Sequence, residues 1–187
     1  MVLMKKTKQD NTLFSADKPK KKTQKKVIIY TDGACLGNPG PGGYGVVLRY
    51  GKHEKELSAG YRHTTNNRME ILAAVVGLQA LKSDKRLNVV IHSDSQLLVK
   101  SINEGWAEKW KKNNWKRNRK DKALNSDLWE MLLIEMEKHD VQFVWVKGHA
   151  DIPDNERCDK LSKDAAESHT LIDVVYESEN RYTGSMK

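Results

Sequence analysis

The spacing of apolar residues changes period once along this chain, and no other feature restricts its fold as strongly. VIIYTDG, starting at Val27, is a β-branched run stopped by a turn signal; a glycine and proline cluster follows, then YGVVLRY. HEKELSAGYRHT comes next with partial alternation, joined to the second run by a tight turn near Gly51. Three short strands in succession imply an antiparallel meander. From Asn66 the period becomes helical: Met69, Leu72, Ala73, Val76 and Ala80 return on one face, and Asn67 followed by Glu70 resembles a capping box. Downstream, LNVVIHSD reads as a strand, SQLLVKSINEG as a short helix, and NSDLWEMLLIEMEKH as a longer helix capped by Asn125 or Ser126. VQFVWV is a fifth strand, followed by the loop KGHADIPD and a helix, NERCDKLSKDAAES. The order β-β-β-α-β-α-α-β-α requires an α/β fold with a five-stranded mixed sheet, because helical crossovers lead to the later strands and cover the sheet faces.

The length of 187 residues suits one domain with spare chain. No window approaches the roughly 18 consecutive apolar residues of a membrane span, and the lysine-rich start lacks the apolar run of a secretory signal, so the expected compartment is the cytoplasm. Cys35 and Cys158 lie far apart without a CxxC or zinc spacing and are expected to be free thiols. The formal charge of +8 is uneven: residues 1–26 hold nine lysines and two aspartates, and residues 106–122 hold eight basic and two acidic side chains. The rest is mildly acidic. Basic appendages on an acidic body suit a polyanionic partner held by the former, with carboxylate chemistry in the latter. Residues 1–25 read as a disordered basic arm that either aids solubility or adds phosphate contacts. Residues 26–169 form the expected folded body, and 170–187 a tail whose apolar run packs on the body or adds a strand. No protein partner is required by any motif, and a monomer is expected.

Four acids stand where an acid is awkward. Asp32 ends the first strand run and Asp94 the fourth; Glu70 lies in the first turn of the first helix and Asp159 early in the last. If the first and fourth strands are parallel neighbours, Asp32 and Asp94 emerge at one sheet end, where active sites of parallel sheets form. Clustered carboxylates repel unless a cation neutralises them or one takes a proton. An all-oxygen set matches Mg²⁺ or Mn²⁺, and two such ions about 3.5–4 Å apart suit phosphodiester cleavage. The competing reading makes Glu70 a cap and the two aspartates turn residues.

His149, in VKGHADIPDN, is either an exposed histidine or, beside a metal site, a proton shuttle. The cluster GNPGPGGYG lacks the GK[ST] ending of a P-loop and reads as a tight turn beside Asp32, its N–H groups and Asn38 available to phosphate or ribose. Trp106, Trp110 and Trp115 interleave with Lys111, Lys112, Lys116 and Arg117: an excursion packed by its tryptophans, and also a possible clamp on a duplex backbone.

Taken together, YTDGACLGNPGPGGYGVVLRY, TTNNRMEILAAVVGLQAL, SDSQ, WKKNNW, NSDLW and VKGHADIPDNERCDKL, in this order over roughly residues 26–168, closely resemble type 1 ribonuclease H of the bacterial kind. The resemblance implies a three-layer ribonuclease H-like fold and endonucleolytic hydrolysis of the RNA strand of an RNA–DNA hybrid, leaving 5′-phosphate and 3′-hydroxyl ends. It implies that Asp32, Glu70, Asp94 and Asp159 hold two Mg²⁺ ions, with Mn²⁺ a possible substitute, and that His149 handles protons or product departure. Asn38, Asn67 and Gln96, with neighbouring Asn66, match groove and 2′-hydroxyl contacts, and Gly33 and Cys35 lie near the RNA backbone. Thr65 and Asn125 match a DNA-strand phosphate pocket, and Trp106, Trp110, Trp115 and the nearby lysines match a basic protrusion. One departure falls at DIP, residues 151–153, where the family commonly has glycine and a polar residue before the proline. The rival functions are a non-catalytic nucleic-acid-binding protein on this fold and another nuclease or strand-transfer enzyme sharing the acids.

Overall fold

A computed structural model describes residues 26–148 and 151–180. Expectations that fall on the 1–25 arm, on His149 and on the end of the tail lie outside the described residues.

Five strands form one mixed sheet in the order β3-β2-β1-β4-β5. The meander is present: β1 (Val27–Cys35), β2 (Gly40–Tyr50) and β3 (His53–Thr64) pair antiparallel, with Gly51 at positive φ in the β2–β3 turn. β4 (Asn88–Ser93) joins β1 in parallel, and β5 (Asp140–Trp145) joins β4 in parallel. α1 (Asn66–Gln79) provides the crossover from the meander to β4, and α2 (Gln96–Asn103), α3 (Trp106–Lys112) and α4 (Ser126–Glu137) lie between β4 and β5. α5 (Pro153–Glu167) packs on β1, β2 and β3.

The core lies between the sheet and α1 and α4, around fully buried Ile29, Val46, Ile71, Leu78, Ile91, Leu98, Trp129 and Leu132. On the other face, α5 approaches β2 at backbone distance. A Cβ at Gly45 would strike the Cys158 carbonyl and come within 2.9 Å of Leu161 Cβ, so a side chain there would push the helix off the sheet.

Four local expectations are corrected. The cap of α1 is Thr65, whose hydroxyl accepts from Arg68 N at 3.4 Å, and not Asn67 paired with Glu70. The helix begins one residue before Asn67, leaving Glu70 free for other work. Asn125 is the α4 cap by position, but at φ 60° its side chain makes no cap hydrogen bond. The last glycines of the GNPGPGGYG cluster belong to β2, because β1 continues to Cys35 and pairs with them. The basic tryptophan segment, expected as an excursion between two helices, begins as a helix of its own, α3. The tail, for its part, makes a bridge from Leu171 to Tyr61 and a short helix, α6 (Val174–Glu179). It is fastened by Asp173, which receives Arg68 Nε at 2.7 Å and the Thr64 hydroxyl at 2.7 Å.

Candidate active site

The parallel ladder between β1 and β4 ends at the pair Thr31–Ser93. Asp32 and Asp94 follow that pair by one residue each, so the two carboxylates leave adjacent strands at the same height and toward the same side. α1 then supplies Glu70 from its first turn. A Cβ on Gly33 would overlap the Glu70 N–H and lie 2.7 Å from Met69 C, so only glycine lets the helix come this close. The result is a cluster in which one carboxylate oxygen from each of Asp32, Glu70 and Asp94 lies within 4.8 Å of the others.

Burial and mutual repulsion dominate the electrostatics. Asp32 is pushed up to about 7, first by burial and then by the charges of Asp94 and Asp159, while a hydrogen bond from Ser162 and the Lys163 ammonium oppose the shift. Glu70 is raised well above its ordinary value by burial, then by Asp32 and Asp94, although the Gly33 backbone and the Asn66 side chain pull it down. One Glu70 oxygen, Oε2, is buried with no hydrogen-bond partner. An orphaned oxygen on a buried carboxylate that has two further carboxylates close by is costly in a protein interior. It fits a hard divalent cation: the donors are all oxygen, and they converge.

Asp159 is not in that cluster. It lies on α5, half-buried, with its carboxylate 2.8 Å from Lys163 Nζ, yet close enough for its charge to raise Asp32. Ser162, one turn on, is fully buried; its hydroxyl donates to Asp32 Oδ2 and lies 2.9 Å from the Asp159 carbonyl. In the sequence, Ser162 carries no signal beyond its i+3 spacing from Asp159. His149 lies outside the described residues. Gly148 before it is against Asp94, where a Cβ would lie 2.8 Å from Oδ2.

The expected substrate residues fall in two groups. Near the carboxylates, Cys35 Sγ lies 3.5 Å from both Gly40 O and Thr64 O, Asn38 Oδ1 accepts from Asn66 N at 3.2 Å, and Gln96 opens α2 exposed to solvent. Asn38 thereby ties the β1–β2 loop to the start of α1. Farther out, Asn67, Asn125, Trp106, Trp110 and Arg117 line one cavity of about 520 Å³ together with Leu97 and Trp129. Trp110 packs edge-on to buried Trp129 at 6.0 Å, and Trp115 also packs against the core, so the tryptophans anchor the segment. Lys112, Lys116 and Arg117 are exposed and Lys111 is half-buried. Anchored rings beneath a solvated basic rim can face a phosphate backbone.

The model of the ribonuclease H family matches residues 24–167. The chain belongs to the ribonuclease H family. A ribonuclease H from Syntrophus aciditrophicus is 68% identical over 146 residues, covering 78% of this chain and 83% of that protein. A ribonuclease H from Desulforamulus reducens is 59% identical over 151 residues, covering 80% and 94%. Among solved structures, LC9-RNase H1, described as a type 1 RNase H with the type 2 active-site motif, superposes with a TM-score of 0.70 at 30% identity, covering 86% and 82%. This ribonuclease H is therefore a divalent-metal-dependent endoribonuclease, and its acidic cluster stands at the sheet end where the chemistry of such an enzyme would be placed. Among the described residues no helix is long and apolar enough to cross a membrane, and both cysteines are free.

Proposed function

We propose that the chain cuts the RNA strand of RNA–DNA hybrids internally, with two divalent ions, Mg²⁺ in the first instance, and leaves 5′-phosphate and 3′-hydroxyl ends. The observation that carries this reading is the convergence of carboxylate oxygens from Asp32, Glu70 and Asp94, on a Glu70 side chain one of whose oxygens is buried without a hydrogen-bond partner. Bound there, divalent ions would supply an activated water and charge neutralisation at the leaving oxygen. Asp32, Glu70 and Asp94 would hold them, with Asp159 completing the set once its carboxylate turns from Lys163. Ser162 orients Asp32 through its hydroxyl. His149, following the Gly148 that abuts Asp94, is assigned proton transfer to the leaving oxygen or escort of product.

Selection of a hybrid needs a test for ribose on one strand and for deoxyribose on the other. Asn38, Asn66 and Gln96, with Gly33 and Cys35, lie on the carboxylate side and suit the RNA strand and its 2′-hydroxyls, and Asn67 reaches the same strand from the edge of the α3 cavity. Thr65, Asn125, Trp106, Trp110, Trp115 and the basic residues Lys111, Lys112, Lys116 and Arg117 suit the DNA strand. The free thiols support work in the cytoplasm, and we take the working form to be a monomer. The basic arm, residues 1–25, adds phosphate contacts in this scheme.

The deciding experiment is cleavage of matched RNA–DNA, RNA–RNA and DNA–DNA duplexes with each strand labelled, in Mg²⁺ and in EDTA. Cutting confined to the RNA of the hybrid and abolished by EDTA supports the reading. Binding without cutting points to a non-catalytic protein, and DNA cutting points to a broader nuclease.

A further inference from the structure

Trp145, the last residue of β5, is an exposed aromatic that nothing so far explains. The residue is 46% exposed, yet its ring is held in place: the indole Nε1–H donates to the backbone carbonyl of Asp94 at 3.1 Å. An aromatic that served only to fill space would be buried, and a loose surface ring would have no fixed partner. A ring fixed by its N–H with its body open to water is instead pre-organised for contact.

Its surroundings suggest what it contacts. Trp145 lines a groove of about 250 Å³ with Gln96, Val99 and Lys100 of α2. Lys100 is exposed, and its Nζ lies 3.4 Å from Gln96 Oε1, which steadies the carboxamide and leaves its N–H groups directed elsewhere. The groove thus offers an aromatic surface, a carboxamide and an ammonium, a set matched to base or sugar, ribose hydroxyl and phosphate respectively. It adjoins Asp94 directly. On the other flank of α2, Leu97 faces the cavity that holds Trp106 and Trp110, so α2 is a ridge between two aromatic-lined grooves.

We propose that the Trp145–Lys100 groove is a subsite for nucleotides of the RNA strand on one side of the cut, with the indole as a stacking surface and Lys100 on the adjoining phosphate. The assignment rests on the hybrid-cleaving function proposed above and extends it along the strand. The RNA strand is favoured because the groove continues from Asp94 and Gln96, while the α3 groove lies across the ridge.

The test is binding of fluorescently labelled hybrids in EDTA, where affinity is read without turnover, using the full chain and its Trp145→Ala, Trp145→Phe and Lys100→Gln variants. The hybrids are shortened one nucleotide at a time, first in the RNA strand from each end and then in the DNA strand. Trp145→Ala should weaken binding of the full hybrid by about tenfold, and trimming the RNA on one side should erase the difference. Trp145→Phe should retain most of the affinity, which separates loss of the ring from loss of its N–H anchor. Lys100→Gln should reduce the slope of log affinity against log salt by about one, on the same hybrids only. A Trp145→Ala deficit that survives RNA trimming, that vanishes only when DNA is trimmed, or that never develops overturns the subsite. Should Trp145→Ala fail to fold, an unchanged salt slope in Lys100→Gln overturns it equally. If the unaltered chain neither binds nor cuts the hybrid, the fault lies with the function on which the subsite rests.

Discussion

The Ser162 hydroxyl, buried on α5, donates to Oδ2 of Asp32 on β1, so the helix that carries Asp159 also fixes the aim of a carboxylate on the sheet. This bond is the main influence lowering the Asp32 pKa against burial. Ser162→Ala removes it, and Asp32 then holds its proton to still higher pH. The Mg²⁺ concentration for half-maximal turnover should rise, more steeply at pH 6.5 than at pH 8.5, with the acid limb of activity displaced upward by about one unit. Affinity for hybrid in EDTA should hardly change. An acid limb that stays in place would show that Ser162 serves packing alone.

The crowding of Asp32, Glu70 and Asp94 should be visible as a pH dependence of stability in the metal-free protein. Asp32 titrates near 3.8 in an unfolded chain and at about 7 in the fold. Between those values the folded state retains a proton that the unfolded chain has released, so raising pH favours unfolding. Stability from this group is therefore full below about pH 4 and is lost as pH rises through 7, by roughly 4 kcal/mol at most. Glu70, shifted the same way, adds to the trend. The melting temperature in EDTA should fall from pH 5 to pH 8, and Mg²⁺ at pH 8 should restore it. Asp32→Asn should flatten the dependence, raise the metal-free melting temperature at pH 8 and abolish turnover while leaving part of the hybrid affinity. A flat melting profile for the unaltered chain, or near-normal turnover in the variant, would remove Asp32 from the metal-holding set.

Much of this site was legible because its signals are local. The β-branched runs ending in Asp32 and Asp94, and the switch to helical spacing before Glu70, each need only a few residues to be read. Parallel pairing of β1 with β4 then follows from the crossover through α1. What could not be read depends on partners distant in the chain. Ser162 looks like any helix serine until α5 lies on β1, 130 residues away. Arg68, two residues before Glu70, is almost fully buried and meets Asp127 Oδ2 and Asp173 Oδ2 at 2.7 Å each. No spacing rule connects it to a tail aspartate 105 residues on. Trp145 is the strand residue that VQFVWV predicts, but its exposure is not legible, because an exposed aromatic and a core one look alike in a list of letters. The cap of α1 is hidden for another reason: Thr65 and Asn67 are both good caps, and the end of β3 at Thr64 decides between them.

The basic segment around α3 should govern affinity more than chemistry. Lys112, Lys116 and Arg117 are exposed, and the salt bridge from Lys112 to Glu108 spans 3.9 Å between well-solvated side chains. Such a pair holds little energy, so these charges remain available to phosphates. Replacing Lys111, Lys112, Lys116 and Arg117 by glutamine should weaken hybrid binding, reduce the salt slope by about 0.9 for each lost phosphate contact, and leave saturated turnover within a few-fold. Binding titrations from 50 to 200 mM salt would measure this, and an unchanged slope would mean that these four side chains make no phosphate contact.

Gly33 sets how close α1 stands to the sheet end. A methyl group there would overlap the Glu70 N–H and lie 2.7 Å from Met69 C and 3.0 Å from Glu70 Cα, all of them backbone atoms that no rotamer change can move aside. The helix would have to retreat from β1 by a large part of an ångström, carrying Glu70 away from Asp32 and Asp94 while Thr65 and Asn66 shift with it. Metal-assisted catalysis tolerates little displacement of a ligand, and misplacement on the scale of an ångström costs on the order of a hundredfold in rate. Gly33→Ala should therefore lower turnover by about that factor and raise the Mg²⁺ requirement. The melting temperature should fall by several degrees, since overpacking costs about 1–3 kcal/mol. The loss of rate should exceed that of Ser162→Ala, because the glycine positions a whole ligand-bearing turn and the serine one carboxylate. Stopped-flow or steady-state rates at saturating Mg²⁺, with melting curves of the same samples, would check it; Gly33→Ala retaining full turnover would show that α1 and Glu70 can stand farther from β1 without loss.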